Sequence, residues 1–172
     1  TNDGTEINYK IQNRKSKATA ISAIEEVCLL KIFGEYLIGN IGFSGALFSK
    51  LSNLNINIIM ISQSSSEHSI YLVIKSKEFE KASKMLNEYY NESILNKKLK
   101  IESFNNKSVV CVVTHNQNFI LEISNIVFPL LYKYNITVFT QSTSDNNISL
   151  IIDRQNVTKT LNILHNNIFS NN

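Results

Sequence analysis

The chain has 172 residues, 43% of them apolar and 18% charged, with 17 basic against 14 acidic residues and a formal net charge of +3. That apolar content supports one ordinary domain or two small ones with a real core, and excludes a disordered tail. No apolar run reaches the roughly 18–20 residues of a membrane span, and the weak basic excess, with only Arg14 and Arg154 beside scattered Lys, excludes a nucleic-acid footprint resting on charge alone.

The N-terminus, TNDGTEINYK, has no apolar h-region, so a secretory signal is not expected in it. It also lacks an initiator Met, and a piece of a longer protein is expected. A strand-like segment, KATAISAI (17–24), comes first and has no evident partner. A short apolar strand follows at 27–33, then the loop GEYLIGNIGFSG (34–45), which holds four of the five glycines in the chain. An amphipathic helix over 42–53 turns Phe43, Ala46, Leu47, Leu51 and Leu54 inward. Next come a buried strand (56–62), a Ser-rich turn, a strand (69–75) and a helix (78–90) with Phe79, Leu86 and Tyr90 at helical spacing. ILNKKLKIESF (94–104) can serve as a fourth strand. The same order then recurs: strand 108–114, helix 121–133, strand 136–141, strand 147–153 and helix 155–168. Pro129 falls mid-helix, where it removes a donor and clashes with the carbonyl of Asn125, so the helix is expected to kink there or to start later.

This recurrence is an internal repeat. QSSSEHSIYLVI (63–74) matches QSTSDNNISLII (141–152) at an offset of 78, which pairs Gln63 with Gln141. Upstream, Leu29-Leu30 matches Val109-Val110, and Phe48 and Leu51 match Phe128 and Leu131, at an offset of 80. The two-residue change is placed in the loop before Asn57 and Asn135, where insertion is cheap. The second copy lacks a fourth strand and the N-terminus has a spare one. The economical solution is an α+β fold of two ferredoxin-like units (βαββαβ), with antiparallel sheets and helices on one face, the first nested within the second. The expected division is 1–16 as a linker end, 25–105 as the first unit, and 17–24 plus 106–169 as the second.

Catalytic patterns are lacking. There is no GxxxxGK[ST] phosphate loop and no GxGxxG after a strand. His68, His115 and His165 lie far apart in sequence. Cys28 and Cys111 sit in apolar runs without metal-ligand spacing, as expected for reduced thiols. Glu25 and Glu26 are adjacent, so in a regular strand they point to opposite faces and make no two-carboxylate site. The chain is expected to perform no chemistry by itself. Binding is the remaining reading: the glycine loop implies unusual backbone angles or close ligand approach, and it leads into a helix N-terminus suited to a carboxylate. The corresponding loop THNQNFILEISN (114–125) has no glycine. An RNA-binding sheet would need exposed aromatics where IIMIS and LVI supply aliphatics.

The glycine loop, the helix FSGALFSKL (43–51) and the run INIIMISQSSSEHSIYLVI (56–74) resemble the tandem ACT domains at the regulatory end of aspartate kinases, particularly those fused to homoserine dehydrogenase. TQSTSDNNISLII and the following VTKTLNILHNNIF (157–169) resemble the second ACT repeat, and GTEI (4–7) the exit from the kinase lobe. The resemblance covers roughly 4–169. It implies a cytoplasmic enzyme's regulatory region, with ATP and Mg confined to an upstream kinase lobe and no cofactor in this chain. It further implies an amino acid effector, threonine or lysine, bound where the first ACT domains of a homodimer pair side by side, with neither nucleic acid nor membrane as partner. Carried over by position, the effector site comprises Asn40, Gly42, Phe43 and Ser44, with Asn57, Ile58, Ile59, Gln63 and Ser64 across from them. Gln141 is the second-repeat equivalent of Gln63, although the loss of the loop glycines there puts a second site in doubt. Ile41 stands where the family usually has Pro, and Ile59 where lysine-sensitive relatives have Asp, which favours threonine. A free-standing amino acid sensor is the alternative.

Overall fold

The computed structural model describes residues 17–169; the expected linker end, 1–16, lies outside them. In chain order the elements are β1 (Ala18–Phe33), α1 (Phe43–Asn53), β2 (Met60–Gln63), β3 (Ser69–Lys75), α2 (Phe79–Tyr89) and α3 (Asn91–Leu95). They continue with β4 (Lys100–Thr114), α4 (Asn118–Lys133), β5 (Thr140–Thr143), β6 (Asn147–Asp153) and α5 (Val157–Ile168). One six-stranded antiparallel sheet contains every strand, in the order β2-β3-β1-β4-β6-β5.

The nested topology is present, built from fewer and longer strands than the sequence suggests. The expected strands at 17–24 and 27–33 are one strand, β1. Its first part pairs with Val109–Thr114 and its second with both β3 and 100–107. The fourth strand of the first half likewise runs without a break into the first strand of the second half, as β4. Residues 94–99 are not strand: Asn91–Leu95 is a helical turn, and the ladder begins at Lys100.

Val27 faces Lys107 at the centre of the β1–β4 ladder, and the register shifts by one residue on either side of that pair. The extra residues make bulges at Glu26 (φ 58°) and Asn106 (φ 56°), eighty positions apart. A one-residue slip exchanges the faces of a strand. Thus Ile21 and Ala23 before the bulge share a face with Cys28, Leu30 and Ile32 after it. This is how both pairs of helices come to lie on one side of a continuous sheet. The left-handed turn at Glu26 also corrects the expectation that Glu25 and Glu26 diverge. Both reach Arg154, whose Nε lies 3.2 Å from Glu25 and whose Nη2 lies 3.2 Å from Glu26.

On the helix side are two cores. One joins Leu30, Ile32, Leu47, Leu51, Leu72 and Leu86, the other Val110, Val112, Ile123, Val127, Leu150 and Leu164. The opposite face closes on a third core, in which Val27, Leu29, Met60 and Val73 from the first half meet Val109 and Ile151 from the second. The sheet curls around this core, bringing its two edge strands, β2 and β5, into contact. Lys107 is buried at its rim (8% exposed), 2.5 Å from Asp153 and 3.9 Å above the ring of Phe139.

Pro129 lies inside α4, which starts at Asn118, earlier than expected. Its ring sits on the exposed side of the helix, where water can serve the Asn125 carbonyl that the proline cannot. Among the described residues, no helix is long and apolar enough to cross a membrane.

Candidate functional site: the glycine turn ahead of α1

Between β1 and α1 the chain makes two glycine-dependent turns. Gly39 (φ 62°) and Gly42 (φ 88°) adopt left-handed angles, and a Cβ at either would meet nothing within 4 Å. Their requirement is conformational, and they leave open space in front of the helix. Gly34 is different: it sits against the Lys98 carbonyl so closely that a side chain cannot fit. Its N–H donates to the His68 carbonyl at 3.0 Å, tying the loop to the Ser-rich turn.

Asn40 braces the loop from within, its Nδ2 donating to the Tyr36 carbonyl at 3.1 Å. The first α1 amide, of Phe43, donates to the Asn40 carbonyl, and that of Ala46 to Gly42. The N-cap, Gly42, has no side chain to offer. The amides of Ser44 and Gly45 therefore have no acceptor among the described residues, an arrangement that favours an anion.

A cavity of about 370 Å³ opens at this point. Its lining includes Asn40, Gly42, Phe43 and Ser44 from the loop and helix start, Gln63 from the end of β2, and Leu37 and Ile70 as apolar floor. It also includes Glu67, which the residue-by-residue reading passed over. Glu67 Oε2 accepts a hydrogen bond from the Gly39 amide at 3.0 Å, across the mouth of the cavity. Its own φ of 56° turns the β2–β3 connection towards the loop. Its only signal in the sequence is that it is the single acid between β2 and β3.

Five of the nine expected residues thus come together: Asn40, Gly42, Phe43, Ser44 and Gln63. Asn57 and Ile58 line a separate concavity beside Phe48, Ser52 and Ile61, at the other end of α1. Ile59 turns to the opposite face of the sheet and packs on the third core, its N–H donating to Val73 at 2.8 Å. Ser64 is occupied within the turn by the hydroxyls of Ser66 and Ser69.

Gln141 is not the structural counterpart of Gln63. Gln63 pairs with Ile70 and Thr143 with Ile148, whereas Gln141 pairs with Leu150 as Ile61 does with Leu72. The two-residue change in offset therefore lies in the turn after β2 and β5, not in the loop before Asn57. In the second half, Asn118–Glu122 are helical where the first half has its glycine turns, and the Asn116 Oδ1 accepts from the Asn118 amide at 2.9 Å. The α4 start is therefore capped where the α1 start is open.

Around the site, Phe43 stacks on Tyr90 with ring centroids 5.5 Å apart. The buried Tyr90 hydroxyl has no hydrogen-bond partner among the described residues, and burial pushes its pKa up to about 12. Among the described residues, no cluster of His, Cys, Asp and Glu could hold a metal ion.

Residues 30–90 match the family model for the ACT domain. Bifunctional aspartokinase/homoserine dehydrogenase 2, chloroplastic, of Zea mays is 29% identical over 153 residues, covering 87% of this chain and 17% of the relative. The chain thus spans about a sixth of that relative's length. In fold it is similar to the ligand-free regulatory subunit of aspartate kinase from Thermus thermophilus, with a TM-score of 0.75, 17% identity, and coverage of 87% of this chain and 98% of that one. It is also similar to E. coli aspartokinase III in complex with lysine and aspartate, with a TM-score of 0.70, 19% identity, and coverage of 92% and 34%. Over residues 30–90 this chain matches the ACT domain, and over most of its length it is similar in sequence to bifunctional aspartokinase/homoserine dehydrogenases and in fold to aspartate kinase regulatory regions.

Proposed function

We propose that the cavity ahead of α1 binds a free amino acid, and that the chain serves as the feedback-control region of an aspartate kinase whose ATP- and Mg-dependent lobe is a separate part of the protein. The observation that carries this reading is the pairing of opposite needs in one cavity. Open α1 amides favour a carboxylate, and Glu67 with the Gln63 side-chain oxygen favours an ammonium. Leu37, Phe43 and Ile70 suit a small side chain between them.

Threonine is favoured over lysine, for a different reason from the one at Ile59. Among the described residues, Glu67 is the only acidic one lining the cavity. It can meet one ammonium, the α-ammonium common to all amino acids, and a second on a lysine side chain would be desolvated without a partner. The E. coli relative crystallised with lysine makes lysine the comparison to run. Asn57 and Ile58, which line the concavity beside Phe48 and Ile61, fit a side-by-side homodimer through the first halves, where they could complete a neighbour's site. Effector binding would then shift the kinase lobe by its differential affinity for two arrangements. A cytoplasmic location belongs to the same proposal.

Calorimetry of threonine and lysine against the wild-type chain and Gln63→Ala tests it. Threonine is expected to bind, more weakly in the variant; silence from all twenty amino acids in a thermal-shift screen would remove the reading. The alternative, a free-standing sensor, predicts the same binding without an upstream kinase lobe in the full-length protein.

A further inference from the structure

The outer face of α4 carries an apolar stripe that the fold does not use. Leu121 is 75% exposed, Phe128 36% and Tyr132 86%. Their spacings of seven and four residues put them in one line along the helix. That line points away from the sheet, since Ile123, Val127 and Leu131 fill the core side. In the first half, at the offset of 80, Ile41 and Phe48 stand where Leu121 and Phe128 stand here, but Ser52 replaces Tyr132 and Ile41 lies in the loop ahead of α1, so the continuous helical stripe is particular to α4.

The charges beside the stripe are arranged end to end. Glu122, near the start of α4, forms an ion pair with Lys17, and Lys133 ends the same helix. Eleven residues separate them, about 16 Å along the axis, and bring them back to the same flank. Leu121 and Tyr132 are also eleven apart. A helix with this pattern is complementary to itself when reversed. An antiparallel copy related by a two-fold axis at Val127 sets Leu121 within one residue of the second copy's Tyr132 at both ends. The same operation brings each Glu122 within one residue, about 1.5 Å along the axis, of the Lys133 of the other chain, with opposed helix dipoles.

We infer that the α4 face is a self-association surface, on which a second copy of this chain docks antiparallel through Leu121, Phe128 and Tyr132. This surface is distinct from the α1–β2 side proposed for effector-linked pairing and does not depend on that proposal. The area is small for a stable interface, so the association is expected to be reversible and dependent on concentration.

Sedimentation of the whole 172-residue chain over a concentration series, without effector, tests it. Tyr132→Ser and Leu121→Ser are each expected to raise the dissociation constant at least tenfold while leaving the unfolding midpoint nearly unchanged, because both side chains are exposed. Glu122→Lys and Lys133→Glu are each expected to weaken association, and the double exchange to restore it, which no merely structural role reproduces. A chain that stays monomeric at millimolar concentration overturns the inference. So does an oligomer insensitive to the two serine variants, which would place the interface elsewhere or give α4 a different occupant.

Discussion

Glu67 and Gly39, twenty-eight residues apart, meet across the mouth of the cavity, the carboxylate accepting from the backbone amide at 3.0 Å. Among the described residues Glu67 is the only acid of the cavity lining, and the proposed effector would bring its ammonium to this place. Replacing it by Glu67→Gln keeps an oxygen for the Gly39 amide and removes the charge. Charged hydrogen bonds are worth about 1.5–3 kcal/mol, so threonine affinity is expected to fall by roughly ten- to hundredfold. Because Glu67 is exposed, thermal stability should barely move, and calorimetry beside a melting curve separates the two effects.

The glycines of the loop should respond to alanine in opposite directions. Gly42 sits at φ 88°, which alanine adopts only with strain, so Gly42→Ala should cost about 1–2 kcal/mol and abolish the open helix start. Gly45 is inside α1 with open space at its Cβ, so Gly45→Ala should stabilise the fold by up to about 1 kcal/mol. Denaturant unfolding of the two variants gives the sign directly. Equal losses in both would mean that the loop does not hold the left-handed turn.

Much of this architecture was legible because the repeat is a pattern of side chains on faces, and a face is what periodicity reports. Ile70, Leu72 and Ile74 declare one strand of the first half, and Ile148, Leu150 and Ile152 its equal in the second. The missing and spare strands required nesting. What could not be read was the continuity of β1. Ile21 and Ala23 are out of phase with Cys28, Leu30 and Ile32, and a phase break looks like a chain break until a left-handed residue at Glu26 is allowed. The site was misread for a related reason. Counting from Gln63 to Gln141 aligns letters, whereas the ladder aligns Gln63 with Thr143, because the shorter turn after β5 drops two residues. Ile59, assigned by position alone, faces the third core, and the relevance of Glu67 lies in a contact with Gly39 that no local pattern encodes.

The pair at the centre of the sheet should be asymmetric under mutation. Lys107 is buried while Asp153 is partly open to water, so Asp153→Ala strands an ammonium beside Phe139 and is expected to cost about 3 kcal/mol. Lys107→Val should cost much less, since the freed carboxylate can reach solvent and Val27 already fills the equivalent position across the ladder. Urea unfolding of both single variants and the double variant measures the difference. A larger loss for Lys107→Val than for Asp153→Ala would show that the contact of Lys107 with Phe139, and not burial of its charge, dominates.

Cys28 links the core to alkaline pH. Burial pushes its thiol pKa from 9.0 up to about 11, so the unfolded chain releases this proton at lower pH than the folded one. Stability from this group is therefore fully present below pH 9 and is lost as pH rises towards 11, by about 2–3 kcal/mol in all. The buried Tyr90 acts in the same sense at higher pH, between about 10 and 12. Serine offers a control for Cys28 that the fold itself validates: Ser108 occupies the equivalent position eighty residues on and is fully buried. Cys28→Ser should be less stable than wild type at pH 8 and lose less between pH 9 and 11, so the two unfolding free energies converge as pH rises. Parallel curves would mean that the thiol ionises equally easily in both states, and that the region around Cys28 opens to solvent well below the global unfolding transition.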